Sequence, residues 1–172
     1  LVIRNNRKDP LSGQPSAGRE NALLEYADDI IQSDGMKFEK TIRQHGSESC
    51  FVHSVSVSSM SLCLARRLKI RFDYHSLVRG ALLHDYFLYD WHEKGMRWRR
   101  MHGFTHAKEA LRNAERDFTL NDIERDIIKK HMFPLTPAFP KYRETIIVTI
   151  ADKICAIREL LSIITARKVF SQ

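Results

Sequence analysis

The stretch Leu82-Leu83-His84-Asp85 sets an imidazole beside a carboxylate at the end of an apolar helical run, Leu77, Val78, Ala81, Leu82 and Leu83. A buried carboxylate is costly unless it is paired or coordinates a metal. His and carboxylate together suit divalent transition metals. The bland account of the same residues is a histidine at a helix C-terminus, where positive charge is favoured, followed by a turn. Ligands elsewhere in the chain decide between the two.

Working outward, Asp73 reads as the N-cap of the helix that ends near Asp85, with Leu77, Ala81 and His84 on one face. Upstream, a long helix is expected from about Ser49 to Lys69, capped by Ser47 or Ser49. His53, Val57, Met60 and Leu64 share one of its faces, and Ser54, Ser56, Ser58, Ser59 and Ser61 are small enough for close helix packing. Earlier still, Leu23, Leu24, Ala27, Ile30 and Ile31 predict a helix over Glu20 to Gln32. Asp34-Gly35 breaks it, and a short helical segment runs from Met36 to Gln44. Residues 1–18, with Pro10, Gly13, Pro15 and Gly18, read as a flexible arm, leaving 19–172 as one domain.

Downstream, Tyr86 to His102 mixes five aromatics with Lys94, Arg97, Arg99 and Arg100 around Gly95, and reads as a long ordered loop. A helix from about His106 to Arg116 follows. Thr119-Leu120-Asn121-Asp122 reads as a capping box for a helix with Ile123, Ile127 and His131 on one face. Pro134, Pro137 and Pro140 forbid its continuation. The last helix, from about Arg143 to Ala166, sets Thr145, Thr149, Asp152, Ala156 and Glu159 on one face. Asp152 lies too deep in it to be a cap. With no alternating strand pattern, the expectation is an all-α, single-domain bundle of about seven helices.

Composition narrows the partners. At 172 residues the chain can bury a sizeable core. A net charge of +7 and a pI near 9.5 suit an anionic ligand. The three cysteines, Cys50, Cys63 and Cys155, are widely spaced and odd in number, which argues against a disulfide framework and for a reducing cytoplasm. The polar N-terminus does not read as a signal peptide. The most apolar stretch, Ile146 to Ile164, is interrupted by Asp152, Lys153, Arg158 and Glu159, so no membrane span is expected.

Five helices therefore each bring an imidazole or carboxylate to an apolar face or end: His53, His84 with Asp85, His106, His131 and Asp152. Each alone has a bland explanation. Together they would desolvate polar groups without a shared partner, which a divalent ion supplies. Six ligands exceed the need of one ion with open water positions, so the count suggests two.

This ordered set resembles the HD-domain superfamily of metal-dependent phosphohydrolases. The resemblance rests on His53, on His84-Asp85 after Ala81-Leu82-Leu83, and on Asp152 in Ile150-Ala151-Asp152-Lys153, with His106 and His131 similar to the extra histidines of binuclear members. It runs from about Glu48 to Glu159. It implies an HD-domain, phosphodiesterase-like all-α fold and hydrolysis of a phosphoester on a nucleotide or other phosphorylated small molecule. The implied metals are two divalent ions drawn from Mn, Fe, Ni, Co, Zn or Mg. His53, His84, Asp85 and Asp152 would hold one, and Asp85 would bridge to a second at His106 and His131. A bridging hydroxide would attack phosphorus, with Asp85 central to catalysis. His102 would protonate the leaving oxygen, and Arg97, Arg99, Arg100 and Lys108 would bind phosphate. No lysine follows soon after Asp85 and no Gly-Tyr-Pro motif is present, so the cyclic-dinucleotide branch is not supported. The rival readings are a non-catalytic metal- or nucleotide-sensing module and a nucleic-acid binder. Against the sensor stands the complete ligand set. Against the nucleic-acid binder stands the lack of a helix with basic residues on one face.

Overall fold

A computed structural model describes the backbone of residues 17–43, 48–69, 71–90 and 96–169. It is all-α, with seven helices among these residues: α1 (Ala17–Ile31), α2 (Asp34–Glu39), α3 (Cys50–Leu68), α4 (Tyr74–Leu83), α5 (Met96–Asp117), α6 (Asp122–Lys130) and α7 (Arg143–Val169). No helix among them is long and apolar enough to cross a membrane.

The short helix α4 is the hub, touching α1, α3, α5, α6 and α7. The Asp73 side chain caps it by accepting from the Ser76 N–H at 2.9 Å. From Ser76 to Phe87 every residue is buried. A helix buried all round needs apolar or small residues on every side, and each fully buried Leu or Val contributes about 1.5–3 kcal/mol. Gly80 is the small residue that admits α6: a Cβ there would lie 2.5 Å from Ile127 Cδ1. Arg79, the one cation in this run, is neutralised by Asp29 of α1 at 2.6 Å and Glu124 of α6 at 3.1 Å. Three of the five serines of α3, Ser54, Ser58 and Ser61, are buried against this hub, as small-residue packing requires.

The caps place the remaining helices. Ser49 caps α3 through the Val52 N–H, and Lys69 closes it in the left-handed conformation (φ 53°). Ser33 caps α2, which ends at Glu39 rather than continuing to Gln44. The α6 capping box is formed by Asn121 and Glu124, not by Thr119 and Asp122. Asn121 Oδ1 accepts from the Ile123 and Glu124 N–H groups, while Glu124 Oε2 accepts from the Asn121 N–H at 2.9 Å. The longer Glu side chain reaches back to the cap backbone, and Leu120 is buried just before it. Asp126 Oδ2 then accepts from the Lys141 N–H (2.8 Å) and the Thr145 hydroxyl (2.7 Å), tying α6 to the start of α7.

Two other expectations need correction. The arm placed at 1–18 yields to helix at Ala17; residues 1–16 lie outside the described residues. The long loop placed at Tyr86 to His102 is much shorter, because α5 begins at Met96. No proline interrupts Met96 to Asp117, and Arg and Met are good helix formers. Gly103 costs only about 1 kcal/mol in a helix interior, and the inward row Ala107, Ala110 and Ala114 anchors the helix. Residues 91–95, which hold Trp91, Lys94 and Gly95 of that loop, lie outside the described residues.

Candidate metal centre

Side chains from five helices meet beneath α4. His53 comes from the second turn of α3, and Asp152 from the middle of α7. His84 and His131 are the residues that close α4 and α6, Asp85 follows His84, and His106 lies on α5. All are buried except Asp152, whose side chain is 15% exposed. The imidazoles form a chain, with centroids 5.4 Å apart for His53 and His84, 4.9 Å for His84 and His131, and 5.1 Å for His131 and His106.

Three of the four histidines repeat one arrangement. His84 Nδ1 donates to the Ala81 carbonyl at 2.8 Å, His131 Nδ1 to the Ile128 carbonyl at 3.0 Å, and His53 Nδ1 to Glu159 Oε1 at 2.8 Å. Each Nδ1 hydrogen bond fixes the ring, so Nε2 is presented to the interior. The carbonyl bonds are a consequence of position: a histidine at a helix C-terminus reaches the carbonyl three residues back, which has no helical N–H to accept. His84 Nε2 is buried and has no hydrogen-bond partner among the described residues.

The carboxylates lie among these nitrogens. Asp85 Oδ2 is 3.5 Å from His84 Nε2, while its Oδ1 is 3.3 Å from His106 Nε2 and 3.5 Å from His131 Nε2. Its two oxygens thus face two different imidazole sets. Asp152 Oδ1 is 3.3 Å from His53 Nε2 and 3.9 Å from His84 Nε2. Two three-residue donor groups result, His53–His84–Asp152 and His84–Asp85–His131, each with atoms within 4.8 Å of one another. His84 is the member they share. His106 joins the second through a 3.0 Å contact between its Nε2 and that of His131.

The electrostatics are those of a site short of positive charge. Burial dominates at His84 and pushes its pKa down to about 4, holding the ring neutral. At His53 burial works the same way, but the hydrogen bonds to Asp152 and Glu159 outweigh it and raise the pKa to about 10. Burial would raise Asp85, yet its electrostatic coupling to the adjacent His84 ring and the hydrogen bonds from His106 and His131 hold it well below the usual carboxylate range. Asp152 is likewise lowered against its burial by His53. A dication fits this donor set: nitrogen and carboxylate oxygen, mostly buried, with a bare His84 nitrogen aimed inward.

The segment after Asp85 is fastened to α5. Asn113 Nδ2 donates to the carbonyls of Tyr86 (3.1 Å) and Phe87 (2.9 Å), and Leu88 takes a left-handed φ of 55°. Lys108, two residues beyond His106 and so about 200° around the helix, is exposed. The helix backbone carries Arg97, Arg99, Arg100 and His102 on the first two turns of α5, upstream of His106; their side chains lie outside the described residues. Two further carboxylates, Glu159, which contacts His53, and buried Glu39, are not marked as site residues by the sequence. Glu159 lies on the helix face that the sequence groups with Asp152, two turns on, but its partner His53 is 106 residues away in the chain. Glu39, buried at the end of α2, had no periodic signal.

No curated protein and no solved structure gives a match. Comparison with protein families matches residues 50–157 to the HD domain. That span opens with α3 and closes within α7, so it contains all six converging side chains. With the H…HD…D order, the all-α bundle and a buried histidine–carboxylate cluster now in one place, the chain belongs to the HD-domain family, within the superfamily of metal-dependent phosphohydrolases.

Proposed function

We propose that the protein hydrolyses a phosphoester of a nucleotide or another phosphorylated small molecule at a pair of divalent ions. The observation that carries this reading is the repeated tethering of Nδ1 in His53, His84 and His131, which turns three Nε2 atoms toward the carboxylates Asp85 and Asp152. His53, His84, Asp85 and Asp152 would hold one ion. Asp85, His106 and His131 would hold the other, with the two oxygens of Asp85 serving the two positions. When bound, such ions lower the pKa of water and offset phosphoryl charge.

The chain's own residues do the rest. Glu159 and the Ala81 and Ile128 carbonyls hold the imidazoles in the tautomer that leaves Nε2 free to ligate. Arg97, Arg99 and Arg100 precede His106 on the same helix and are suited to pairing with phosphate oxygens, since guanidinium binds them bidentately. His102, one turn before His106, would give a proton to the leaving oxygen. Lys108, expected from the sequence to bind phosphate, is exposed on the face of α5 turned away from buried His106 and is not part of this set.

The test is a panel of nucleotide monoesters and diesters assayed with Mn²⁺ or Co²⁺. Turnover is expected, abolished by chelator. Replacing Arg97, Arg99 and Arg100 together by Ala should raise KM, by about 1–3 kcal/mol for each charge-assisted hydrogen bond to phosphate that the change removes, with metal content unchanged. A metal-loaded protein that turns over no phosphoester overturns the hydrolase reading. Unchanged KM in the triple variant removes the arginines from it.

A further inference from the structure

Glu39, the last residue of α2, is fully buried, and neither of its carboxyl oxygens has a hydrogen-bond partner among the described residues. Buried polar groups are nearly always bonded, and a bare carboxyl is among the costliest to enclose. Its position is set by Gly35, one turn earlier on the same face of α2. A Cβ on Gly35 would lie 1.5 Å from Tyr86 Oη, so this face of α2 is packed hard against the residue that follows Asp85. On its other side, the Ile42 N–H donates to the Glu39 carbonyl at 3.3 Å, and Ile42 packs with Cys50 and Phe87. Cys50 is three residues before His53, and Phe87 two after Asp85. Glu39 thus lies on α2 between Gly35, packed on Tyr86, and Ile42, packed on Cys50 at the start of α3 and on Phe87. Burial, then the charge of Asp85, push its carboxyl well above the ordinary range, while His53 pulls the other way. The charges it senses belong to the six-residue cluster.

We propose that Glu39 is an outer carboxylate of the metal centre, acting through an intervening water on the ion held by His53, His84, Asp85 and Asp152. It belongs to neither three-residue donor group, and a polar group beyond direct reach works through a bridging water. Such outer groups typically change metal affinity about 10–100-fold. A structural role gives no reason for a carboxyl here, because an apolar side chain of similar volume would remove its desolvation cost. The inference rests on the metal centre proposed above.

The experiment titrates parent, Glu39→Gln and Glu39→Met with Co²⁺, reading affinity by calorimetry and the ligand field by visible absorption, with melting of the chelator-treated proteins alongside. Both variants should bind about 10–100-fold more weakly and show an altered Co²⁺ spectrum. Their metal-free melting temperatures should equal or exceed that of the parent. Parental affinity and spectrum in Glu39→Gln, which keeps the shape of the side chain, overturn this inference alone, as does a lower metal-free melting temperature with unchanged affinity. A parent that binds no Co²⁺ overturns the metal centre itself and this inference with it.

Discussion

Metal uptake should expel a proton from His53, and the size of the effect follows from its surroundings. Asp152 and Glu159 hold the ring protonated up to about pH 10. A ligating imidazole must be neutral. At pH 7 the ring lies about three pH units below that value, so removing its proton costs roughly 4 kcal/mol of the gross binding energy. Each unit of pH upward recovers about 1.4 kcal/mol, which is tenfold in affinity. His84 adds nothing to this slope near neutrality, because burial keeps it neutral down to about pH 4. Calorimetric titration with Mn²⁺ between pH 6 and 8, in two buffers of different ionisation heat, measures both quantities. At least a tenfold gain in affinity per pH unit and release of about one proton or more per ion are expected. Affinity flat across this range, with no proton released, refutes the reasoning.

The metal-free protein should melt progressively lower as pH rises above 6.5, where His53 and the raised carboxyl of Glu39 both lose stability. His53, raised from 6.5 to about 10, contributes stability that is present below pH 6.5 and lost as pH rises toward 10. His84, lowered from 6.5 to about 4, contributes stability present above 6.5 and lost as pH falls toward 4. A melting temperature constant from pH 5 to 9 would contradict both assignments. Gly80→Ala should destabilise the protein by about 1–3 kcal/mol, because the new Cβ meets Ile127 at 2.5 Å and separates α4 from α6. Since those helices carry His84 and His131, metal affinity should fall with it, and chemical denaturation plus a Mn²⁺ titration checks the pair. Asp126→Ala removes the acceptor for Lys141, Tyr142 and Thr145. It should cost about 2–4 kcal/mol, while affinity for Mn²⁺ in the folded protein stays parental. An unchanged denaturation midpoint would remove Asp126 from its role at the start of α7.

Where each element's own residues decide its structure, the sequence is readable. Ser49, Asp73 and the 3.6-residue spacing of apolar residues place α3 and α4 within a residue or two. His53, His84, His131 and Asp152 stand out because each interrupts or ends an apolar stripe. What cannot be read depends on distant partners. The first turns of α5 look like loop, since they follow Gly95 and their dense basic run carries no period. Thr119 fits the capping pattern as well as Asn121 does, and the choice follows from the burial of Leu120. Glu39 is polar, lies on a six-residue helix and acquires meaning only through Gly35 and Tyr86. The Glu159 hydrogen bond with His53 spans 106 residues of sequence and needs α3 and α7 side by side.

The central claim is that six side chains hold divalent ions, with Asp85 common to both positions. Elemental analysis of the protein after equilibration with Mn²⁺ and removal of free ion tests it most directly, with Asp85→Ala measured in parallel. The account predicts about two ions per parent chain and near-complete loss in Asp85→Ala. Metal content in Asp85→Ala equal to that of the parent would contradict it.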